Sequence, residues 1–204
     1  MNNPVVSSRG EYESVFSDLR RVMNLSARLP DLPFLSEGTD SICEFERFCG
    51  GSFGPLLEAL ANQHRDQYVL GATLEPEFYV DHEDRSGTFA AFRIPASQIA
   101  KEYWRALRYE PDDDVAGAMY FTAHVLCVAG SSGSWAIWGE RSIGVAIVRT
   151  AGSDVSWRNN SDWFLSPEDA IHAFIEPNFN RRPLSTEFRK SFLRKVRPFG
   201  GYED

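Results

Sequence analysis

The stretch AGSSGSWAIWGERSIGVAIVRT, residues 129–150, is apolar and aromatic along most of its length and is interrupted once, at Gly139–Ser142. It is either a catalytic turn or the middle of a sheet, and the choice decides the fold. Residues 134–139 and 143–149 are each strand-length, and a short polar turn joins them, which predicts a β-hairpin. Alternation along a strand puts Trp135, Ile137, Ile143, Val145 and Ile147 on one face. Ala136, Trp138, Gly144, Ala146 and Val148 fall on the other. Both faces are apolar, so the hairpin is expected at the centre of a sheet covered on each side. The second face is mostly small, which would let a helix or loop approach closely.

The catalytic reading fails on spacing. Gly130, Ser131, Ser132, Gly133 and Ser134 lack the last glycine of G-x-S-x-G, and strand rather than helix follows. No Gly-Lys-Ser/Thr follows either, which excludes a phosphate-cradling loop.

Working outward, further strands are expected in QYVLGATLEP (67–76), FYVDHE (78–83), GTFAAFRIP (87–95) and AMYFTAHVLCVAG (118–130). A first helix is predicted over about 10–27, with Tyr12, Val15, Phe16, Leu19, Val22 and Met23 on one buried face. Two prolines in RLPDLPFL stop it. A short helix is expected at 40–48 and another at 54–66, with Pro55 in its first turn. Ser97 caps a helix over 97–108 whose stripe is Ile99, Tyr103, Trp104 and Leu107. Ser166, Pro167, Glu168 and Asp169 open another, and a basic helix runs over 185–196 with Phe188, Phe192, Leu193 and Val196 inward.

This order predicts the α+β class: an antiparallel sheet of about five strands with helices packed on it and N- and C-terminal helices flanking. One domain over 1–204 is expected, with a helical part at about 1–66, the sheet at about 67–150 and C-terminal helices at about 166–197. A chain of 204 residues buries enough surface for a real core without staples.

The three cysteines, Cys43, Cys49 and Cys127, are an odd number without paired spacing, which argues for free thiols rather than disulfides. The N-terminal residues lack the apolar stretch of a secretory leader, and no run reaches the roughly 20 apolar residues of a membrane span. A cytoplasmic location is expected. The histidines His64, His82, His124 and His172 share no metal-ligand spacing, so no metal or cofactor is expected. His124 reads as a core residue in a strand. Glu140 and Arg141 read as an exposed charge pair at the hairpin tip. Asp81, His82, Glu83 and Asp84 form the one local group of ligand-type side chains and would be the site if the chain were an enzyme.

Charge is uneven. The net charge is −8, but residues 181–204 carry +4, which leaves −12 on the remainder. Such a surface repels nucleic acid and attracts basic partners. The acidic side chains concentrate in two stretches, Glu75, Glu77, Asp81, Glu83 and Asp84, and Glu110, Asp112, Asp113 and Asp114. Phe78, Tyr79, Tyr109, Trp157 and Trp163 lie in or near polar segments and are candidate aromatic anchors for a partner.

At SGSWAIWGERSIGVAIV, residues 132–148, the chain resembles the central hairpin of small bacterial immunity proteins from polymorphic-toxin and contact-dependent inhibition systems. The likeness lies in a Trp-bearing strand, a short Gly-acid-Arg turn and a second apolar strand. It implies a non-enzymatic mode of action, in which a folded acidic domain binds a toxin domain, a nuclease for instance, and blocks it. An enzyme using residues 81–84, or an adaptor with a different partner, are the competing readings.

Overall fold

The computed structural model describes residues 4–75, 87–110, 117–152, 154, 156–158, 162–179 and 183–198. Six strands form one antiparallel sheet: β1 (Thr39–Glu44), β2 (Tyr68–Glu75), β3 (Ala91–Pro95), β4 (Val125–Gly130), β5 (Trp135–Glu140) and β6 (Val145–Thr150). Their order is β1-β6-β5-β4-β2-β3. The helices are α1 (Arg9–Arg20), α2 (Phe45–Phe48), α3 (Phe53–Gln63), α4 (Ile99–Leu107) and α5 (Met119–Thr122), then α6 (Pro167–Ala170), α7 (Glu176–Asn178) and α8 (Thr186–Lys195). A π-helical turn, Ile171–Ile175, joins α6 to α7. The α+β class holds, with one strand more than expected.

The quoted hairpin is β5 and β6, in the interior of the sheet and buried on both faces as expected. The expected division of its faces is wrong. Trp135 and Ile137 share a face with Ala146 and Val148, against α3 and α4. Ala136, Trp138, Ile143, Val145 and Ile147 face α1 and the C-terminal helices. The cause is the turn. Glu140 pairs with Val145, so the turn is the four residues Arg141–Gly144 and not the three, 140–142, that the sequence suggested. Moving the closing pair by an odd number of residues exchanges the faces of one strand relative to the other. Gly144 closes the turn with φ +85°, and a Cβ there would collide with the Asn178 amide.

Each face has its own core. Phe48 meets Phe53 edge-on at 5.3 Å and Phe92 meets Tyr103 at 5.9 Å in the layer under α3 and α4. Gly139 admits that layer to the sheet, because a Cβ there would lie 2.9 Å from the Phe45 and Phe48 rings. The opposite core gathers around Trp138, with Val15, Leu19, Ile171, Ile175 and Phe192.

Two other expectations are corrected. The segment expected as a helix at 40–48 is strand β1 followed by α2. Ile42 and Cys43 enter opposite cores, the period of a strand buried on both sides. The expected strand 118–130 begins at Val125, because Met119–Thr122 forms a helical turn. The FYVDHE strand lies outside the described residues.

A buried ion pair ties β1 to β6. Arg149 donates through Nε to Asp40 Oδ1 at 2.8 Å and through Nη2 to Oδ2 at 2.7 Å. The Arg197 amide also donates to Asp40 Oδ2, at 2.8 Å. Both edge strands are bridged. Val5 pairs with Phe92 on β3, and the Val6 amide donates to the Ala91 carbonyl at 2.9 Å. On β1, Leu165 pairs with Ile42 and Pro198 with Asp40. Among the described residues no helix is long and apolar enough to cross a membrane.

Candidate functional site

The strand registers bring one row of residues to one end of the sheet. Glu75 pairs with Val125, Val125 with Glu140, Glu140 with Val145, and Val145 with Glu44. The first acidic stretch therefore leaves the sheet at Glu75, beside the hairpin tip.

Glu140 is 3% exposed, so it is not half of an exposed tip pair. Its Oε1 accepts the Trp138 indole N–H and the Leu29 amide, each at 2.8 Å. Burial pushes its carboxyl pKa up, and the two hydrogen bonds and nearby Arg28 pull it partly back. Arg28 lies 5.7 Å over the Trp138 ring and donates through Nε to Glu75 at 2.9 Å. Arg28 thus bonds the Glu75 carboxylate and, from nearby, favours the charged form of Glu140.

Arg141 turns to the opposite side of the sheet end. It donates to the carbonyls of Ala123 at 3.0 Å and Tyr120 at 2.5 Å. Its guanidinium stands 5.0 Å over Phe45 and 3.5 Å from Glu46. It thereby fastens α5 to the sheet. The backbone completes the seam, with the Arg141 amide donating to the His124 carbonyl at 2.8 Å and the His124 amide to Glu75 at 3.0 Å. His124, expected in the core, is exposed because the strand starts one residue later.

Of the expected partner-binding residues, Glu77, Asp81, Glu83, Asp84, Asp112, Asp113 and Asp114, with Phe78 and Tyr79, lie outside the described residues. Glu75 is half-exposed at the sheet end. Tyr109 is half-buried just beyond α4 and packs on the core. Trp163 is half-buried with the Arg47 guanidinium 5.2 Å over its ring, and Arg47 lies 3.6 Å from Glu44 in the row. Trp157 is a correction. It is 2% exposed and meets Phe164 edge-on at 5.2 Å, so its ring belongs to the core and offers a partner no face. The sequence pattern missed Phe121, which is 48% exposed on α5. It lay hidden inside an apolar run that read as strand.

The thiols are unsuited to nucleophilic work. Burial pushes Cys43 and Cys127 up to about 12 and Cys49 also upward, so all three are protonated at neutral pH. Among the described residues no group of three or more His, Cys, Asp or Glu side chains could hold a metal ion. His172 is exposed with Nδ1 3.1 Å from Glu176. The chain matches no family model, no curated protein and no solved structure.

Proposed function

We propose that the chain is a non-enzymatic inhibitor, an immunity protein that binds a basic toxin domain and occludes its active site. A nuclease is the toxin class whose substrate-holding lysines and arginines such a surface would match. The observation that carries this reading is the acidic sequence that continues the chain from Glu75, the last residue of β2. Glu75 is held by Arg28, and residues 76–84 of the sequence add Glu77, Asp81, Glu83 and Asp84 without a Lys or Arg. Complementary charge of this kind speeds encounter and selects the partner. Nucleic acid and membrane are not the expected partners of so acidic a surface.

The test is capture of partners from native lysate by tagged protein at low and moderate salt. One stoichiometric basic protein, weakened by salt and inactivated on addition of the chain, is expected. A variant with Glu75, Glu77, Asp81 and Glu83 changed to Gln or Asn should lose it. Equal capture by that variant would overturn the acidic surface as the contact.

A further inference from the structure

The chain enters α1 alongside β3, and the two enclose a cavity. Val5 and Val6 run beside β3, Ser8 caps α1, and the helix then rises next to the same strand. The cavity between them measures about 330 Å³, at the small end of the range for ligand pockets. Val5, Val6 and Val15 give it an apolar wall, and its two charged side chains are Glu11 and Arg93.

Arg93 is held at a fixed point. Through Nη2 it donates to Ser14 Oγ at 3.2 Å and to Asp18 Oδ2 at 3.0 Å, and it lies 4.6 Å over the Tyr68 ring. Both bonds use one nitrogen of a planar group that carries five N–H donors, so a ligand carboxylate can be taken by the others. Ser14 and Asp18 share a face of α1 with Glu11, three and seven residues further on. At a rise of 1.5 Å per residue, Glu11 stands about 4.5 Å along the axis from Ser14 and about 10 Å from Asp18. Its carboxylate therefore lies on the same wall as Arg93 but is not the one that Arg93 bonds. Two hydrogen bonds of about 2.9 Å and the short spacer of an α-amino acid cover that gap.

Charge decides the occupant. Asp18 also lies 3.4 Å from Arg21, so the wall carries two cations, Arg21 and Arg93, and two anions, Glu11 and Asp18. A bare anion would meet the Glu11 carboxylate and a bare cation would meet Arg93. A zwitterion satisfies both, and the valines take an aliphatic side chain. We infer that the cavity binds a free aliphatic α-amino acid, with its carboxylate on Arg93, its ammonium on Glu11 and its side chain on Val5, Val6 and Val15. The site needs no protein partner and does not rest on the inhibitor reading.

The experiment is equilibrium dialysis of the purified chain against isotope-labelled L-leucine at millimolar concentration. N-acetyl-L-leucine, without the ammonium, and L-leucinamide, without the carboxylate, are the comparison probes. L-leucine should be retained, and each blocked probe should bind at least tenfold more weakly, the loss expected of one charge-assisted contact. Glu11→Gln changes an exposed side chain and should keep the wild-type melting temperature. It should weaken L-leucine at least tenfold and leave N-acetyl-L-leucine where it was. Arg93→Gln should weaken L-leucine in the same way and leave L-leucinamide where it was. No retention of L-leucine, L-valine or L-isoleucine by wild type overturns the inference. Equal binding of N-acetyl-L-leucine overturns it by making the ligand a simple carboxylate, and full affinity in Glu11→Gln overturns it by placing the ligand elsewhere.

Discussion

Replacing Asp40 by Asn removes one charge from a buried ion pair and nearly nothing of its shape. The Asp40 side chain is 0% exposed and that of Arg149 is 9% exposed. Asp40 accepts two guanidinium hydrogen bonds and one amide, so the substitution strands a buried cation. Breaking a buried pair from one side costs about 3–5 kcal/mol. Two charge-assisted hydrogen bonds at about 1.5–3 kcal/mol each sum to about 3–6 kcal/mol, which overlaps that range. For a chain of this size about 4 kcal/mol lowers the melting temperature by roughly 8–16 °C. Removing both charges together is different. Asp40→Leu with Arg149→Met leaves no uncompensated ion, and should come within about 2 kcal/mol of wild type. Urea unfolding followed by tryptophan fluorescence measures all three proteins. A loss below about 1 kcal/mol for Asp40→Asn would mean that water screens the pair and the burial argument is wrong. A double variant no better than the single would place the stabilisation in the Arg197 amide contact instead of the charges.

Glu140 has a folded pKa above its ordinary value, so folding takes up a proton there. Its contribution is greatest below the unfolded pKa and is lost as pH rises through the folded one. Glu140→Gln, which keeps an acceptor for Trp138 and Leu29, should flatten that part of the pH–stability curve and match or exceed wild type at neutral pH. Glu140→Ala should cost about 2–4 kcal/mol by leaving two buried donors unpaired, and a wild-type-like urea midpoint would refute the hydrogen bonds. Trp157→Ala should destabilise by about 3–5 kcal/mol, as a core deletion does; a variant of native stability that only binds less would restore the residue as a surface anchor. With burial holding the thiols protonated, none of the three cysteines should react with a disulfide reagent at neutral pH until the chain unfolds, and one fast-reacting thiol in the native protein would contradict the described burial.

The central hairpin was legible because both of its faces are apolar, and only a covered strand tolerates that. Its turn was not. Glu140 and Arg141 look like a surface pair, yet Glu140 is a strand residue whose indole partner lies two positions back and whose amide partner lies 111 residues away. β1 was hidden for a related reason. Asp40 and Ser41 are polar, and Asp40 is buried only because Arg149 meets it from a strand 109 residues later. Local patterns do not show such partners. Phe121 was concealed by its setting, since one helical turn before a strand continues the same apolar run. The acidic stretches could be read as charge, and of the first only Glu75 is described, at the sheet end.

The two bridged edges bear on how this chain would fail. Short segments near its two ends occupy the outer rims of the sheet, Val5 and Val6 on β3 and Arg197 and Pro198 on β1. Peeling either away uncovers backbone amides and carbonyls ready to recruit a strand from another molecule. A fusion tag or a proteolytic nick at either place would therefore convert a chain with an intact core into a seed for aggregation. The loss would appear as falling solubility before any loss of melting temperature.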